Sequence, residues 1–178
     1  MEVTDFSEIE DEFIRRVHTM VWCNVATFDR LQRPRSRILH PIWEGGTGWI
    51  ATHPNSYKNT HLAHNPYVSL AYITDINKPV YVDCTAAWVD DPDQKVRIWD
   101  LFKNTPPPLG YDPAIDFVSP DHEKFGLLKL TPWRRALVTF RPNHMKQDSA
   151  SGADAGNPKC GESKGYSGYS CVPGGPGY

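Results

Sequence analysis

Apolar residues recur at helical spacing near the start of the chain. Phe6, Ile9, Phe13 and Val17 lie three to four apart, which predicts an amphipathic helix. Ser7 followed by Glu10 fits a capping box at its start. From residue 20 the period changes to that of strands. The stretches 20–28 (MVWCNVATF), 35–43 (RSRILHPIW) and 48–52 (GWIAT) are short and rich in branched and aromatic residues. Turn-forming DRLQRP and EGGTG separate them.

A short helix is predicted within 55–64, with Asn55 or Ser56 as N-cap and Pro66 closing it. Two strands follow at 67–74 and 80–90, then a helix opening at Asp91-Pro92 and running through QKVRIWDLFK. Residues 104–124 carry five prolines and read as an irregular loop, in which Tyr111, Phe117 and His122 either line a pocket or pack the loop down. Two last strands are expected at 126–131 and 134–140. This order, with one short helix between early strands, suits a mainly β, mainly antiparallel barrel with flanking helices better than a doubly wound sheet.

Composition divides the chain in two. Residues 1–146 form the expected folded domain. Residues 147–178 hold eight of the thirteen glycines among Ser, Tyr and Pro, too little apolar content to offset ordering entropy, and read as a flexible tail. Net charge is −2, from 19 basic and 21 acidic residues, which supplies no electrostatic reason for a nucleic-acid or membrane partner. No apolar run is long enough to span a bilayer and no secretory signal is visible. Cys23 and Cys84 sit in apolar runs and read as buried reduced thiols, so the expected location is cytoplasmic.

Chemistry concentrates in the stretch 52–66, THPNSYKNTHLAHNP. His61 and His64 are three apart on one helix face, but no carboxylate or cysteine accompanies them at ligand spacing, so no metal site is expected. The histidines, with His53 before the helix, read as bystanders on a solvated or interface face. A different convergence is more informative. A strand ends at Thr52, a helix starts near Ser56, and Lys58 lies in its first turn. Free amides and the helix dipole favour an anion there, and the two hydroxyls and the lysine add to it. Arg35 and Arg37, two apart on the preceding strand, share a face and provide a second cation if that strand lies beside 48–52. From these residues alone, a phosphate cradle and an ordinary surface lysine both remain open.

The run P-R-S-R-I-L … W-I-A-T … S-Y-K … N-P-Y-V-S-L resembles the pyridoxamine 5′-phosphate oxidase-like FMN-binding split β-barrels over about residues 10–140. In that pattern an arginine strand and a strand ending in Thr precede S-R-K at a helix start. N-P-x-V-S-L follows eight residues after the lysine, as Pro66 follows Lys58 here. Tyr57 stands where the family often has arginine. The resemblance implies a homodimer with two cofactor sites at the subunit interface. Arg37 and Lys58 would hold the FMN phosphate, Thr52 and Ser56 would bond near it, and the backbone of Ile38 and Leu39 would run along the ring. The C-terminal tryptophan-and-arginine arrangement of true pyridoxamine phosphate oxidases is not reproduced by Trp133, Arg134 and Arg135, so vitamin B6 oxidation is not the expected activity. The activity implied is an oxidoreductase that moves hydride or electrons to or from a small organic substrate. FMN is the expected cofactor and an 8-hydroxy-5-deazaflavin coenzyme the alternative. A non-catalytic flavin or haem binder is the competing reading, and no catalytic side chain is assigned.

Overall fold

In the computed structural model, which describes residues 5–140 and the short strands Glu2–Val3 and Ser167–Cys171, the alternating segments join one nine-stranded sheet. Its strands are β1 (Glu2–Val3), β2 (Cys23–Phe28), β3 (Pro34–Leu39), β4 (Ile42–Glu44), β5 (Thr47–Thr52), β6 (Tyr67–Tyr72), β7 (Val80–Val89), β8 (Gly126–Thr139) and β9 (Ser167–Cys171). The order is β1-β9-β8-β7-β6-β2-β3, while β5 pairs with β8 and β4 with β5. All pairings are antiparallel except that of β1 with β9. One edge of β8 follows β7; its other edge takes β5 at Gly126–Leu130 and β9 at Arg135–Thr139. This is a split barrel with flanking helices, as the strand order predicts. Of the segment read as a tail, Ser167–Cys171 pairs as β9; the expectation for the rest of 147–178 lies outside the described residues.

Two strand expectations are corrected, both by proline. Residues 35–43 are not one strand: the chain breaks at His40-Pro41, because proline has no N–H to continue the ladder. Consequently β3 does not lie beside β5; it pairs with β2 along its length, and the EGGTG hairpin joins β4 to β5 instead. Residues 126–139, by contrast, are a single strand. Asp83 faces Arg134 and Cys84 faces Pro132, so Trp133 is an extra residue in a bulge that absorbs the proline without ending the strand.

The helices are placed by their apolar faces. In α1 (Glu10–Met20), three acids in the first turn and His18 in the last suit the helix dipole. The predicted Ser7 cap is not formed; instead the Asp5 carboxylate accepts the Ser7 N–H at 2.9 Å and caps a 3-10 turn at Phe6–Glu8. α2 is Tyr57–His64, and α3 (Pro92–Asn104) opens on the expected Asp91 cap. A one-turn helix, α4 (Ala114–Phe117), interrupts the loop 104–124 that was read as wholly irregular.

Two apolar clusters follow. Phe13 and Val17 of α1 pack with Val25, Leu70, Tyr72, Val80, Val82 and Leu130 inside the barrel. α3 and the 104–124 loop build the second, in which Ile98, Trp99, Phe102 and Phe117 meet Trp49, Phe125 and Leu127. In the first cluster the fully buried Tyr72 hydroxyl accepts the Trp43 indole N–H at 2.8 Å. Cys23 and Cys84 are free and buried, and burial pushes both thiols up, that of Cys23 to about 12.

Two outcomes follow. Tyr72→Phe leaves the Trp43 N–H buried without an acceptor and is expected to cost about 1–3 kcal/mol, read as a lower urea midpoint at unchanged m-value. Acid should also destabilise the fold. Arg15, with Arg16, holds the Glu12 carboxyl down from 4.5 to about 2, and Arg33 lowers that of Asp29. Depressed carboxyls stabilise above their unfolded values and lose that contribution as pH falls. The melting temperature is therefore expected to drop between pH 4.5 and about 2, and less steeply in Glu12→Gln.

Candidate functional site

Two neighbouring residues of β3 leave the sheet on opposite sides. Arg37 stands opposite Val25, whose side chain is in the core, whereas Ile38 stands opposite Asn24 and is 62% exposed on the outer face. Leu39 returns to the inner face opposite Cys23 and packs against the core. Arg37 is thus drawn inward beneath α2, which packs on β2. Its Nη2 donates to Thr27 Oγ1 at 2.8 Å, while its Nη1 is buried with no hydrogen-bond partner among the described residues. Arg35 shares this face, but its guanidinium pairs with Asp29 at 3.3 Å beside Arg33, so it is committed elsewhere.

Lys58 reaches the same region from the other side. β5 ends at the buried Thr52, and the chain turns through 53–56 into α2. Gly126 sits opposite Thr52, and a Cβ there would lie 2.7 Å from the Thr52 carbonyl and 3.1 Å from Pro54. The absence of a side chain at 126 therefore sets how close this strand end lies to β8. Lys58 is 8% exposed. Its Nζ donates to Ser56 Oγ at 2.7 Å and to the His53 carbonyl at 3.2 Å, and Ser56 Oγ also donates to that carbonyl at 3.1 Å. Ser56 accordingly orients the lysine and does not cap the helix with its side chain. Thr52 has no side-chain contact that ties it to the lysine.

The electrostatics identify what the pair can hold. Burial lowers the Lys58 ammonium pKa, and the Arg37 charge lowers it further; burial alone lowers that of Arg37. Two cations that sense one another while losing water are mutually unfavourable unless an anion lies between them. An unpartnered guanidinium nitrogen and an ammonium with two of three protons placed are a donor set suited to phosphate oxygens. A phosphorylated cofactor therefore fits these residues. Arg37, Lys58 and Ser56 come together, with Thr52 ending the strand before them, although Arg37 arrives through β2 rather than by lying beside β5.

Two residues of this region escaped the sequence reading. Thr27 is 2% exposed, and its hydroxyl lies 2.9 Å from His61 Nδ1, so Arg37, Thr27 and His61 form one chain of contacts. His61 is buried rather than a solvated bystander, one helical turn beyond Lys58. The signal was present: Thr27 is a polar residue at a core-facing position of an alternating strand, and His61 shares the Lys58 face at a spacing of three. The other histidines differ. His53 stacks on Phe117 at 5.1 Å between ring centres, and His64 is exposed. Among the described residues no group of three or more His, Cys, Asp or Glu is placed to hold a metal ion.

A cleft of about 410 Å³ opens beside the start of α2, lined by Pro54, Asn59, Trp88, Asp90, His122 and Glu123 among others. The two options for the 104–124 loop are both realised. Tyr111 and Phe117 pack the loop against α3, while His122 lines this cleft. Trp88 reaches it with a buried indole nitrogen that has no partner among the described residues, whereas Trp133 lies 42% exposed at the β8 bulge.

Comparison with known proteins agrees with this fold. A protein related to general stress protein 26, of the pyridoxine phosphate oxidase family, from Clostridium acetobutylicum superposes with TM-score 0.61 at 15% identity, over 75% of this chain and 89% of that one. A pyridoxamine 5′-phosphate oxidase-related, FMN-binding protein from Nostoc punctiforme gives 0.53 at 14% identity, over 80% and 95%. HutZ, a haem storage protein from Vibrio cholerae, gives 0.53 at 18% identity, over 70% and 89%. At these identities the likeness shows the fold alone. A comparison with curated protein sequences finds no significant match. Residues 9–137 match the family profile described as pyridoxamine 5′-phosphate oxidase, a span that includes both cations and the barrel strands β2–β7, and the chain belongs to that family.

Proposed function

We propose that this protein is a homodimeric oxidoreductase that uses a flavin-type cofactor to exchange hydride or electrons with a small organic substrate. FMN is the cofactor the site suits best, and an 8-hydroxy-5-deazaflavin coenzyme is the alternative. The observation that carries the reading is the buried, unpartnered Arg37 Nη1 and the buried Lys58 that senses its charge, in a chain of the pyridoxamine 5′-phosphate oxidase family. The FMN-binding description of the Nostoc relative supports the same choice. Bound flavin would supply the redox chemistry, and the protein would supply position, charge and exclusion of water. Arg37 and Lys58 would hold the phosphate, Ser56 would aim the lysine, Thr52 would bond nearby, and the backbone at Ile38 and Leu39 would lie along the ring.

The outer sheet face supports the dimer. Register places Ile38, Asn24, Ala71 and Tyr81 in one row across β3, β2, β6 and β7, and Ser36, Ala26, Ser69 and Asp83 in the next. Most of these side chains are small or apolar. The single charge, Asp83, is already paired with Arg134 at 3.0 Å. A face with so little unpaired charge is suited to burial against a second copy. With such a dimer, alternation along β3 would leave Ile38 at the interface and Arg37 at the cofactor, so the site would lie where two subunits meet.

The decisive experiment is to purify the protein and identify any co-purifying cofactor by mass. FMN or deazaflavin is expected, reduced by a suitable donor and reoxidised by substrate. Protein that is colourless and binds none of added FMN, deazaflavin or haem overturns the reading; haem binding alone favours storage. Arg37→Ala and Lys58→Ala are each expected to weaken FMN binding by about 1.5–3 kcal/mol, with little effect on riboflavin, measured by flavin fluorescence quenching. Tyr81→Lys should convert the dimer to monomer in light scattering and weaken the cofactor with it.

A further inference from the structure

The contact between Thr27 and His61 has a consequence for the phosphate site proposed above, on which this inference rests. The Thr27 hydroxyl has one proton to give and accepts from Arg37 Nη2 at 2.8 Å. It lies 2.9 Å from His61 Nδ1, while its other acceptor, the Arg35 carbonyl, is 3.5 Å away. The short contact is satisfied when Thr27 donates to an unprotonated Nδ1, the arrangement of a neutral Nε2–H imidazole, and equally when an Nδ1–H donates to Thr27 and the hydroxyl proton turns to the Arg35 carbonyl. In either state His61 sets the rotation of the Thr27 hydroxyl, toward Nδ1 in the first and toward the Arg35 carbonyl in the second. That hydroxyl in turn fixes the guanidinium, with Nη2 tethered and Nη1 left for a ligand.

The charges around His61 make its state depend on the anion. Burial disfavours its protonation most, and the Arg37 and Arg35 charges on β3 add to this, while Asp29 at the end of β2 favours it. Lys58 lies one turn away on α2. The Asp29 carboxylate is already engaged by the Arg33 and Arg35 side chains and by the Leu31 and Arg33 amides. A dianionic phosphate held by Arg37 and Lys58 would cancel their two charges and remove the repulsion that Arg37 exerts on a protonated His61.

We propose that His61 is a positioning residue that orients Arg37 through Thr27, and that it takes up one proton from solvent when a dianionic phosphate monoester binds. On protonation Nδ1 becomes a donor to Thr27 Oγ1, whose own proton turns to the Arg35 carbonyl. The tether of Arg37 survives, and a third positive charge is added behind the phosphate. The group selected is a phosphate monoester with two negative charges, in preference to a neutral or singly charged analogue of the same ring.

The test uses the full chain freed of bound cofactor. Titration calorimetry with FMN and with riboflavin is run at pH 7.5 in two buffers of different ionisation enthalpy. The wild-type protein is expected to take up close to one proton with FMN and none with riboflavin. His61→Asn, which can still accept from Thr27, should keep the preference for FMN but take up no proton. His61→Leu and Thr27→Val should each cut the FMN-to-riboflavin affinity ratio about tenfold, the scale of one charge-assisted hydrogen bond. Proton uptake in His61→Asn equal to wild type overturns the inference, as does an unchanged ratio in both Leu and Val variants. A wild-type protein that does not prefer FMN to riboflavin overturns the phosphate reading itself, and this inference with it. A preference that is intact but indifferent to His61 overturns the inference alone.

Discussion

The pairing of β2 with β3 on one side and β6 on the other is the constraint on which the site depends. β3 has a single hydrogen-bonded neighbour, so its register against β2 alone decides which side chains face inward. With Val25 opposite Arg37, the guanidinium is carried under α2; slipping the register by one residue would send Ile38 inward and leave Arg37 on the outer face. Register is held in turn by burial. Cys23, Val25 and Thr27 of β2 point into the barrel at 2–3% exposure, and Leu70 and Tyr72 of β6 meet them there fully buried. The loop between β2 and β3 reinforces it, because Asp29 accepts from the Leu31 and Arg33 amides and pairs with Arg33 and Arg35.

This arrangement tolerates an electrostatic cost. Lys58 is buried against its preference for water, and Arg37 stands near enough to disfavour its charge further. A fold selected for stability alone would place an apolar residue at one of these positions. In the function proposed above, two converging cations with an unsatisfied donor are a site prepared for an anion, and the structure would supply in advance the orientation that binding otherwise has to impose. Ser56 and Thr27 belong to that preparation, each holding one cation by a single hydrogen bond.

Much of the fold was legible in the amino-acid sequence because the periods were clean. Strict alternation in β7, the Asp91-Pro92 helix start and the helical spacing of Phe13 and Val17 each have a local physical cause, and each appears as expected. Failures cluster where proline acts through its surroundings. Pro41 ends a strand, whereas Pro132 is absorbed by a bulge because β7 continues to pair on both sides of it. No local pattern distinguishes these two outcomes, since the difference lies in the neighbouring strand.

The candidate site divides the same way. By itself the sequence determined that a strand ends at Thr52 and that Ser56 and Lys58 open the following helix, since these residues are close in the chain and local geometry suffices. It also determined that Arg37 shares a face with Arg35, because strand periodicity is two. Only the tertiary structure decided that Arg35 is spent on Asp29 while Arg37 is not. It likewise decided that His61 is buried on Thr27 rather than solvated. Those outcomes depend on which strand lies beside β3 and which surface α2 covers, and such long-range packing is set by burial of the whole apolar core rather than by any short run of residues.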